Sequence, residues 1–184
     1  IRDNKYFNCT QYSFADLMEN KNPAINSQDL TLDDWVNHIS TIFTEVRLKT
    51  FIEMRGADAG GYKSLCALPA LWTGILYCND SLDEALKITN GIKFEDLLNF
   101  RKEVCKIGLN AELNGYKGWK LAKEVLEISK NGLKQRGKIN SFGDDENIHL
   151  SFLEELISHK KSNAASMIEK YYKNEKINIE LLFN

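Results

Sequence analysis

Side chains alternate between apolar and polar with a period of two over one stretch of the chain, residues 45–58. Because successive side chains of a strand point to opposite faces, this alternation predicts one central strand with two unlike faces. The face expected to be buried carries Val46, Leu48, Thr50, Ile52 and Met54. The opposite face carries Glu45, Arg47, Lys49, Phe51, Glu53 and Arg55. Gly56 and the pair Gly60-Gly61 end the strand in a loop where a ligand could approach the backbone closely.

Helical periodicity follows this loop and continues to residue 172, and the tail from residue 174 to 184 is too short and mixed to assign. A broad apolar stripe predicts a buried helix that packs on the apolar face of the strand, with Pro69 in its first turn. Further helix patterns cover residues 14–19, 32–39, 81–88, 94–105, 119–137, 147–157 and 162–172. Residues 1–9 predict a strand or half of a hairpin, and residues 138–146 an exposed loop.

This order of elements predicts the fold class. Strands early in the chain and helices late in it indicate an α+β fold, mostly helical, with an N-terminal hairpin or strand, one central strand and about six helices. We expect residues 1–184 to be a single segment with a strand-containing part (1–60) and a helical part (61–184). The chain begins Ile1-Arg2-Asp3, and we interpret it as part of a larger protein.

Composition limits the classes of function. A formal charge of −2 argues against a broad nucleic-acid surface, although it leaves room for a local phosphate pocket. No apolar run approaches the roughly 18 residues of a membrane span, and the first residues show no leader pattern, so cytosolic residence is the expectation. The four cysteines are scattered and form no C-x-x-C pair, which disfavours a zinc site.

The charged residues of the predicted strand are the candidate chemistry. Glu53 and Arg55 lie two residues apart and therefore project to one face. A carboxylate can hold Mg²⁺ while a guanidinium meets phosphoryl oxygens, which is what a phosphoryl-transfer site needs. The alternative is a cross-strand ladder of salt bridges, and Arg47 and Lys49 share both interpretations. Asp58 could bind a metal or cap the turn, and the turn is favoured.

Four segments of the sequence carry a resemblance to a known family. They read TLDDWVNH (31–38), STIFTEVRLK (40–49), EMRGAD (53–58) and LCALPALW (65–72). The chain resembles glutamate-cysteine ligase of the plant and proteobacterial type. The resemblance is dense over residues 31–77 and looser to the end of the chain, and it corresponds to the C-terminal portion of that enzyme.

The resemblance implies a function and a fold. It implies an ATP- and Mg²⁺-dependent ligase that joins the γ-carboxylate of glutamate to cysteine through a γ-glutamyl phosphate, the first step of glutathione synthesis. It also implies a fold similar to that of glutamine synthetase, with an antiparallel sheet. Glu53 then looks like a metal ligand and Arg55 like the catalytic cation on the transferred phosphoryl group. Arg47 and Lys49 look like ATP contacts or supporting charges.

The same resemblance implies partners. These are glutamate, cysteine, ATP and the remainder of the same ligase chain, without nucleic acid or membrane, and homodimer formation is left open. The segment alone is expected to be inactive, because one strand cannot build a metal site. Two alternatives also stay open: a related carboxylate-amine ligase with another amine, and a noncatalytic segment that serves packing or dimerisation.

The sequence departs from the family pattern near the predicted strand. Thr44 replaces a usual Pro, Thr50-Phe51 replaces Arg-Tyr, and residues 60–64 replace Gly-Pro-Trp-Arg-Arg. The last change puts Lys63-Ser64 where the family has two arginines, which weakens any anion contact expected there. Cys9 and Cys66 fall at positions that resemble members of the plant regulatory disulfides, but neither has its partner in this sequence, so a redox switch of the plant kind is not expected.

Overall fold

A computed structural model describes residues 4–173 and divides the chain into two compact units, Ile1–Ala57 and Asp58–Asn184. The first unit contains α1 (Phe14–Met18), a 3₁₀ turn (Ser27–Asp29), α2 (Leu32–Ser40), β1 (Val46–Leu48) and β2 (Ile52–Met54). The second begins with α3 (Tyr62–Leu76), α4 (Asn79–Thr89), α5 (Phe94–Ile107), a 3₁₀ turn (Gly108–Asn110), β3 (Glu112–Leu113) and β4 (Tyr116–Lys117). It continues with α6 (Gly118–Arg136), a 3₁₀ turn (Glu146–Leu150), α7 (Ser151–His159) and α8 (Asn163–Tyr172).

The expectation of a mostly helical α+β chain is confirmed. The described residues form eight α-helices, against the six or so expected, and two separate two-stranded antiparallel sheets. The strand expected at the N-terminus is not formed over residues 4–9, and residues 1–3 lie outside the described part. Among residues 4–9 only Lys5 has β-bridge geometry, and no strand develops from it.

Reciprocal hydrogen bonds begin the two helices of the first unit where the Ser-x-x-Asp and Thr-x-x-Asp patterns place them. The Ser13 hydroxyl accepts from Asp16 N at 3.1 Å, and the Asp16 carboxylate accepts from Ser13 N at 2.9 Å. Thr31 and Asp34 repeat the arrangement at the start of α2. Each box satisfies amides that have no partner inside the helix.

We expect the Asp16 cap to survive mild acid. Hydrogen bonds from Lys21 and Ser13 lower the pKa of Asp16 from 3.8 to about 2. Since the folded pKa lies below the unfolded one, the stabilisation is complete above pH 4 and is lost as the pH falls toward 2. A carboxyl NMR titration should show Asp16 still ionised at pH 3, and a midpoint near 4 would contradict the cap.

The stretch predicted as one strand is a hairpin. β1 pairs antiparallel with β2 in the register Val46↔Met54, Arg47↔Glu53 and Leu48↔Ile52, so the chain reverses at residues 49–51. The sequence Lys49-Thr50-Phe51 contains none of the Gly, Pro, Asn or Asp residues that mark a tight turn, and for that reason the reversal is not visible in the pattern.

The apolar side of the hairpin is not buried as expected. Val46, Leu48 and Ile52 are exposed, at 50%, 76% and 61%, and Met54 is partly buried. Arg47, Glu53 and Arg55 on the other face are partly buried. The alternation correctly separates the two faces, but it cannot say which one is covered, because that depends on neighbours far away in sequence.

Two glycines set the core of the second unit, where α3 crosses α6. A Cβ added at Gly132 would lie 1.8 Å from the Gly74 carbonyl oxygen, and one added at Gly74 would lie 2.2 Å from the Ser129 carbonyl oxygen. Two buried serines donate to the backbone of a neighbouring helix: Ser129 of α6 to Leu71 O of α3 at 2.9 Å, and Ser81 of α4 to Ile128 O of α6 at 3.0 Å. The buried Leu126, Leu133 and Leu150 and Ala70 pack beside it.

This crossing corrects two details of the predicted helices. Pro69 lies well inside α3 rather than in its first turn, because the helix begins at Tyr62. Ser81 does not start α4, which begins at Asn79; its hydroxyl instead bonds to the backbone of α6. Ser81 therefore has the sequence pattern of a helix cap, but its hydroxyl makes a contact between two helices.

The turn between β3 and β4 and the C-terminal end of α6 lie where the sequence predicts them. Asn114-Gly115 forms the two-residue turn between β3 and β4, with φ of 51° and 81°, as a type I′ turn requires. Gly137 ends α6 in the left-handed conformation with φ 64° and donates to Leu133 O at 3.1 Å.

Candidate active site

The hairpin register brings the charged residues together on one surface. Residues directly opposite each other in an antiparallel pair share a face. In this hairpin Arg47 lies opposite Glu53, and each even-numbered residue lies opposite another even-numbered one. Odd-numbered residues therefore face odd-numbered ones, and the hydrogen bond from Arg55 N to Glu45 O at 2.8 Å continues the ladder. We call this surface the charged face; it consists of Glu45, Arg47, Lys49, Glu53 and Arg55.

Arg47 and Glu53 form the central contact of the charged face. Arg47 Nε donates to Glu53 Oε2 at 2.8 Å, and Arg47 Nη1 donates to the Ser40 carbonyl oxygen at 3.0 Å. The Arg47 side chain is only 16% exposed. One guanidinium thus ties the Glu53 carboxylate to the end of α2, and this fixed fork geometry is more specific than a lysine contact would be.

Glu53 is held in its ionised form. The hydrogen bond from Arg47 is the largest cause that lowers the pKa of Glu53, and the nearby charges of Arg47, Lys49 and Arg55 act in the same direction, against partial desolvation. A carboxylate that stays ionised well below neutral pH can pair with a cation or bind a hard metal ion.

Arg55 is the second arginine beside the Glu53 carboxylate. Its Nε is 4.0 Å from Glu53 Oε2, its Nη1 donates to the Ile42 carbonyl oxygen at 3.5 Å, and its guanidinium lies 5.2 Å from the centre of the Phe43 ring. These contacts are longer than those of Arg47. The Phe43 ring and the Ile42 carbonyl therefore position the Arg55 guanidinium, while its ion pair with Glu53 is longer than that of Arg47.

Lys49 is the more accessible cation of the face. Its ammonium lies 5.9 Å from the centre of the exposed Phe51 ring. Within residues 4–173, no carboxylate lies within ion-pair distance of Lys49. The ammonium of a lysine, a point charge on a flexible four-carbon stem, can turn toward an anionic ligand.

The side chains that could bind a Mg²⁺ ion at the charged face are few. Among residues 4–173, no three side chains of His, Cys, Asp or Glu converge to hold a metal ion. Glu53 supplies one carboxylate, and Mg²⁺ is typically held by one or two carboxylates with water and substrate phosphates. The charged face accordingly fits one ligand of a Mg²⁺ site and also realises the salt-bridge ladder that the sequence left as the alternative. Asp58 Oδ1 accepts from Ala59 N at 2.8 Å, which fits its role in the turn.

Three groups at the face were not predicted from sequence. The carbonyl oxygens of Ser40 and Ile42 accept from the two arginines, and Phe43 supplies the aromatic surface under Arg55. Backbone carbonyls leave no trace in a residue pattern. Phe43 next to a charged strand was visible in the sequence, but only the fold shows which cation it meets.

We expect Arg47→Met to raise the pKa of Glu53. The substitution removes the largest cause of the lowered value while it keeps the apolar stem of the side chain. Carboxyl NMR titration of the chain would measure the shift, with Arg136→Met as the matched control, since Arg136 makes the same Nε contact to Glu146 at 2.9 Å elsewhere. An unchanged Glu53 titration in Arg47→Met would contradict this contact.

Comparisons with known proteins define a class of ligase. The model of glutamate-cysteine ligase family 2 matches residues 10–182. The chain belongs to glutamate-cysteine ligase family 2. It is 45% identical over 136 residues to the chloroplastic glutamate-cysteine ligase A of Oryza sativa subsp. indica and to the chloroplastic glutamate-cysteine ligase of Medicago truncatula, in each case over 74% of this chain. It is 36% identical over 170 residues, 92% of this chain, to the chloroplastic glutamate-cysteine ligase of Arabidopsis thaliana.

The matches cover only a minor part of each relative: 28% of the rice enzyme, 27% of the Medicago enzyme and 31% of the Arabidopsis enzyme. The expectation of cytosolic residence is wrong, since these relatives are chloroplastic. It rested on the first residues of the chain, which lack a leader pattern but say nothing of what precedes the matched part in the relatives. Within residues 4–173, no helix combines the length and the apolar content needed to cross a membrane.

Proposed function

We propose that the chain is part of a plastid ligase that joins the γ-carboxylate of glutamate to the amine of cysteine at the expense of ATP, with Mg²⁺. The match of the family across residues 10–182 is the observation that carries this proposal. It includes the charged face, whose three cations outnumber its two carboxylates and suit an anionic nucleotide. We further propose that the hairpin belongs to an antiparallel sheet similar to that of glutamine synthetase, completed by residues beyond this chain.

The proposed role of each charged side chain follows from the hydrogen bonds and ion pairs that it already makes within the first unit. Glu53 would supply a carboxylate to Mg²⁺, which neutralises phosphoryl charge when bound. Arg55, with its longer contacts, would lie against the transferred phosphoryl group as the catalytic cation. Lys49 would contact ATP. Arg47 already donates from Nε to Glu53 and from Nη1 to Ser40 O, so it would assist ATP binding chiefly by fixing Glu53.

The proposed reaction has two steps. A γ-carboxylate oxygen of glutamate attacks the γ-phosphorus of ATP and ADP leaves, which gives an acyl phosphate. The cysteine amine then attacks the acyl carbon, an amide bond forms, and phosphate leaves with the carboxylate oxygen. Arg55 would stabilise the charge that spreads over the phosphoryl oxygens in the first step, where positioned cations contribute most.

A chimera tests the proposal. The 136 residues of this chain that match the rice enzyme would replace their counterparts in that enzyme. We expect ATP turnover only when glutamate and cysteine are both present, with γ-glutamylcysteine as the product. A screen of other amines under the same conditions separates this reaction from that of a related carboxylate-amine ligase. A folded chimera without glutamate-dependent turnover would contradict the proposal.

We also expect residues 1–184 alone to be inactive. The chain matches 28% of the rice enzyme, so we expect the groups that would complete the Mg²⁺-nucleotide site and bind both amino acids to lie in the remainder of such a polypeptide. The measurement is glutamate-dependent ATP turnover by the purified chain at the concentrations used for the chimera. Turnover by the chain itself would show that the described residues already contain a complete site.

A further inference from the structure

Two anchors hold the Arg55 guanidinium beside the charged face. Its Cζ atom lies 5.2 Å from the centre of the Phe43 ring, inside the range of roughly 6 Å over which an aromatic face attracts a cation. Its Nη1 donates to the Ile42 carbonyl oxygen at 3.5 Å, which is longer than an ordinary hydrogen bond. The ring is therefore the stronger of the two anchors.

The Glu53 carboxylate competes for the same guanidinium. Arg47 Nε occupies one acceptor position of Glu53 Oε2 at 2.8 Å, and a carboxylate has about four such positions. An arginine that meets an available carboxylate position closes to about 2.7–2.9 Å. Arg55 Nε nevertheless lies 4.0 Å from the same oxygen. A group other than Glu53 therefore determines where the Arg55 guanidinium lies.

Arg136, in the second unit, shows the opposite balance between a ring and a carboxylate. Its Nε lies 2.9 Å from Glu146 Oε2, and its Cζ lies 5.9 Å from the centre of the Tyr77 ring. There the ion pair is short, and the aromatic contact is at the limit of its range. At Arg55 the ring is closer and the carboxylate is farther away, which is the arrangement expected when the ring draws the guanidinium from its anion.

Hydrogen bonds fix the backbone on both sides of Phe43, which lies in the link between α2 and β1. On one side, Arg47 Nη1 donates to Ser40 O at 3.0 Å and ties the end of α2 to β1. On the other side, Arg55 N donates to Glu45 O at 2.8 Å and ties the start of the hairpin to its end. All of these residues belong to the first unit, so the contact between Phe43 and Arg55 is formed within that unit.

We propose that Phe43 is a positioning residue, whose ring holds the Arg55 guanidinium away from Glu53 so that the guanidinium can meet the transferred phosphoryl group. This inference rests on the proposed function. Without the ring, Arg55 and Glu53 would close into a bidentate ion pair. That pair would occupy both the proposed catalytic cation and an oxygen of the proposed Mg²⁺ ligand. The ring thereby keeps a cation and a carboxylate, two residues apart, available for different tasks.

A spectroscopic test uses residues 1–184 alone. In the ¹⁵N-labelled chain, the side-chain protons of Arg55 should resonate upfield, because they lie over an aromatic face. Phe43→Leu should move the Arg55 Nε–H signal downfield, since the ring current is lost and a hydrogen bond to Glu53 is gained, whereas Phe43→Tyr should keep the signal in place. Phe43→Met, which also lacks a ring, repeats the measurement if leucine disturbs folding. An Arg55 signal that does not respond to loss of the ring, or that responds equally to the matched control Tyr77→Leu, overturns the inference.

A kinetic test uses a chimera with the Arabidopsis enzyme, whose match covers 170 of the 184 residues of this chain and so includes Phe43 and Arg55. We expect Phe43→Leu to lower kcat about fivefold, the scale of one cation–π contact, and Phe43→Tyr to restore it. The KM for ATP should change little, because the contact with the phosphoryl group is made chiefly in the transition state. In a chimera that already carries Arg55→Ala, Phe43→Leu should cause no further loss, since the ring acts through Arg55.

The outcomes separate this inference from the proposed function. In an active chimera, a kcat that Phe43→Leu leaves unchanged, or lowers equally with and without Arg55, overturns the inference. Tyr77→Leu should leave kcat within about twofold of the parent. A chimera without activity contradicts the proposed function, while the Arg55 signal of the chain still decides whether the Phe43 ring holds the guanidinium away from Glu53.

Discussion

Gly132→Ala should unfold the second unit or destabilise it by about 3 kcal/mol or more. The new methyl carbon would lie 1.8 Å from Gly74 O and 2.7 Å from Ser81 Oγ, so α3 and α6 must move apart at their closest point. Alanine favours an exposed helix over glycine by only about 1 kcal/mol. Overpacking against a backbone carbonyl costs more than that gain, because no flexible side chain can move aside.

The control for this substitution lies one residue earlier on the same helix. Asn131 is exposed, so Asn131→Ala should change stability by less than about 0.5 kcal/mol. Thermal and urea unfolding of the three proteins, followed by circular dichroism, give the comparison. If Gly132→Ala unfolds at the same temperature as its parent, the helices do not cross at these glycines.

The second large effect is expected at the charged face. In an active chimera, Arg55→Ala should reduce kcat by about 10³-fold, the scale on which a cation at a transferred phosphoryl group contributes. Glu53→Gln should reduce kcat by at least about 10²-fold, since it keeps the hydrogen-bond acceptor for Arg47 but removes the negative charge. Both proteins should retain the helical circular dichroism of the parent.

The controls come from a similar pair outside the charged face. Arg136 donates to Glu146 at 2.9 Å and lies 5.9 Å from the centre of the Tyr77 ring, so it reproduces the ion pair and the aromatic contact on the second unit. Arg136→Ala and Glu146→Gln should leave kcat within about twofold of the parent. Equal losses in both pairs would mean that the charged face is merely structural, as the salt-bridge ladder suggests.

The sequence predicted the separation of faces better than their burial. A period of two places Arg47, Glu53 and Arg55 on one surface whether the stretch is one strand or a hairpin, because the register keeps odd-numbered residues together. The reversal at Lys49-Thr50-Phe51 has no turn signal, and for that reason one strand was predicted where two occur. Which face is covered depends on distant packing, and there the expectation was wrong.

The helices show the same limit. Capping boxes at Ser13 and Thr31, and the left-handed Gly137, are local features, and the sequence located them well. The roles of Gly74 and Ser81 are set by contact with α6, more than 45 residues away, and were not foreseen. The metal and nucleotide roles of the charged face came from family resemblance rather than from pattern, and they stay predictions.

Transfer of an oxygen atom from glutamate to phosphate reports whether the ligase forms a γ-glutamyl phosphate. The chimera would be supplied with glutamate labelled with ¹⁸O in its γ-carboxylate, together with ATP, Mg²⁺ and cysteine. An acyl-phosphate route predicts one ¹⁸O atom in the phosphate released per γ-glutamylcysteine formed, and no labelled phosphate from the Arg55→Ala protein over the same period. Product formed with unlabelled phosphate would contradict the acyl-phosphate route, and labelled phosphate formed equally fast without Arg55 would contradict the role of Arg55.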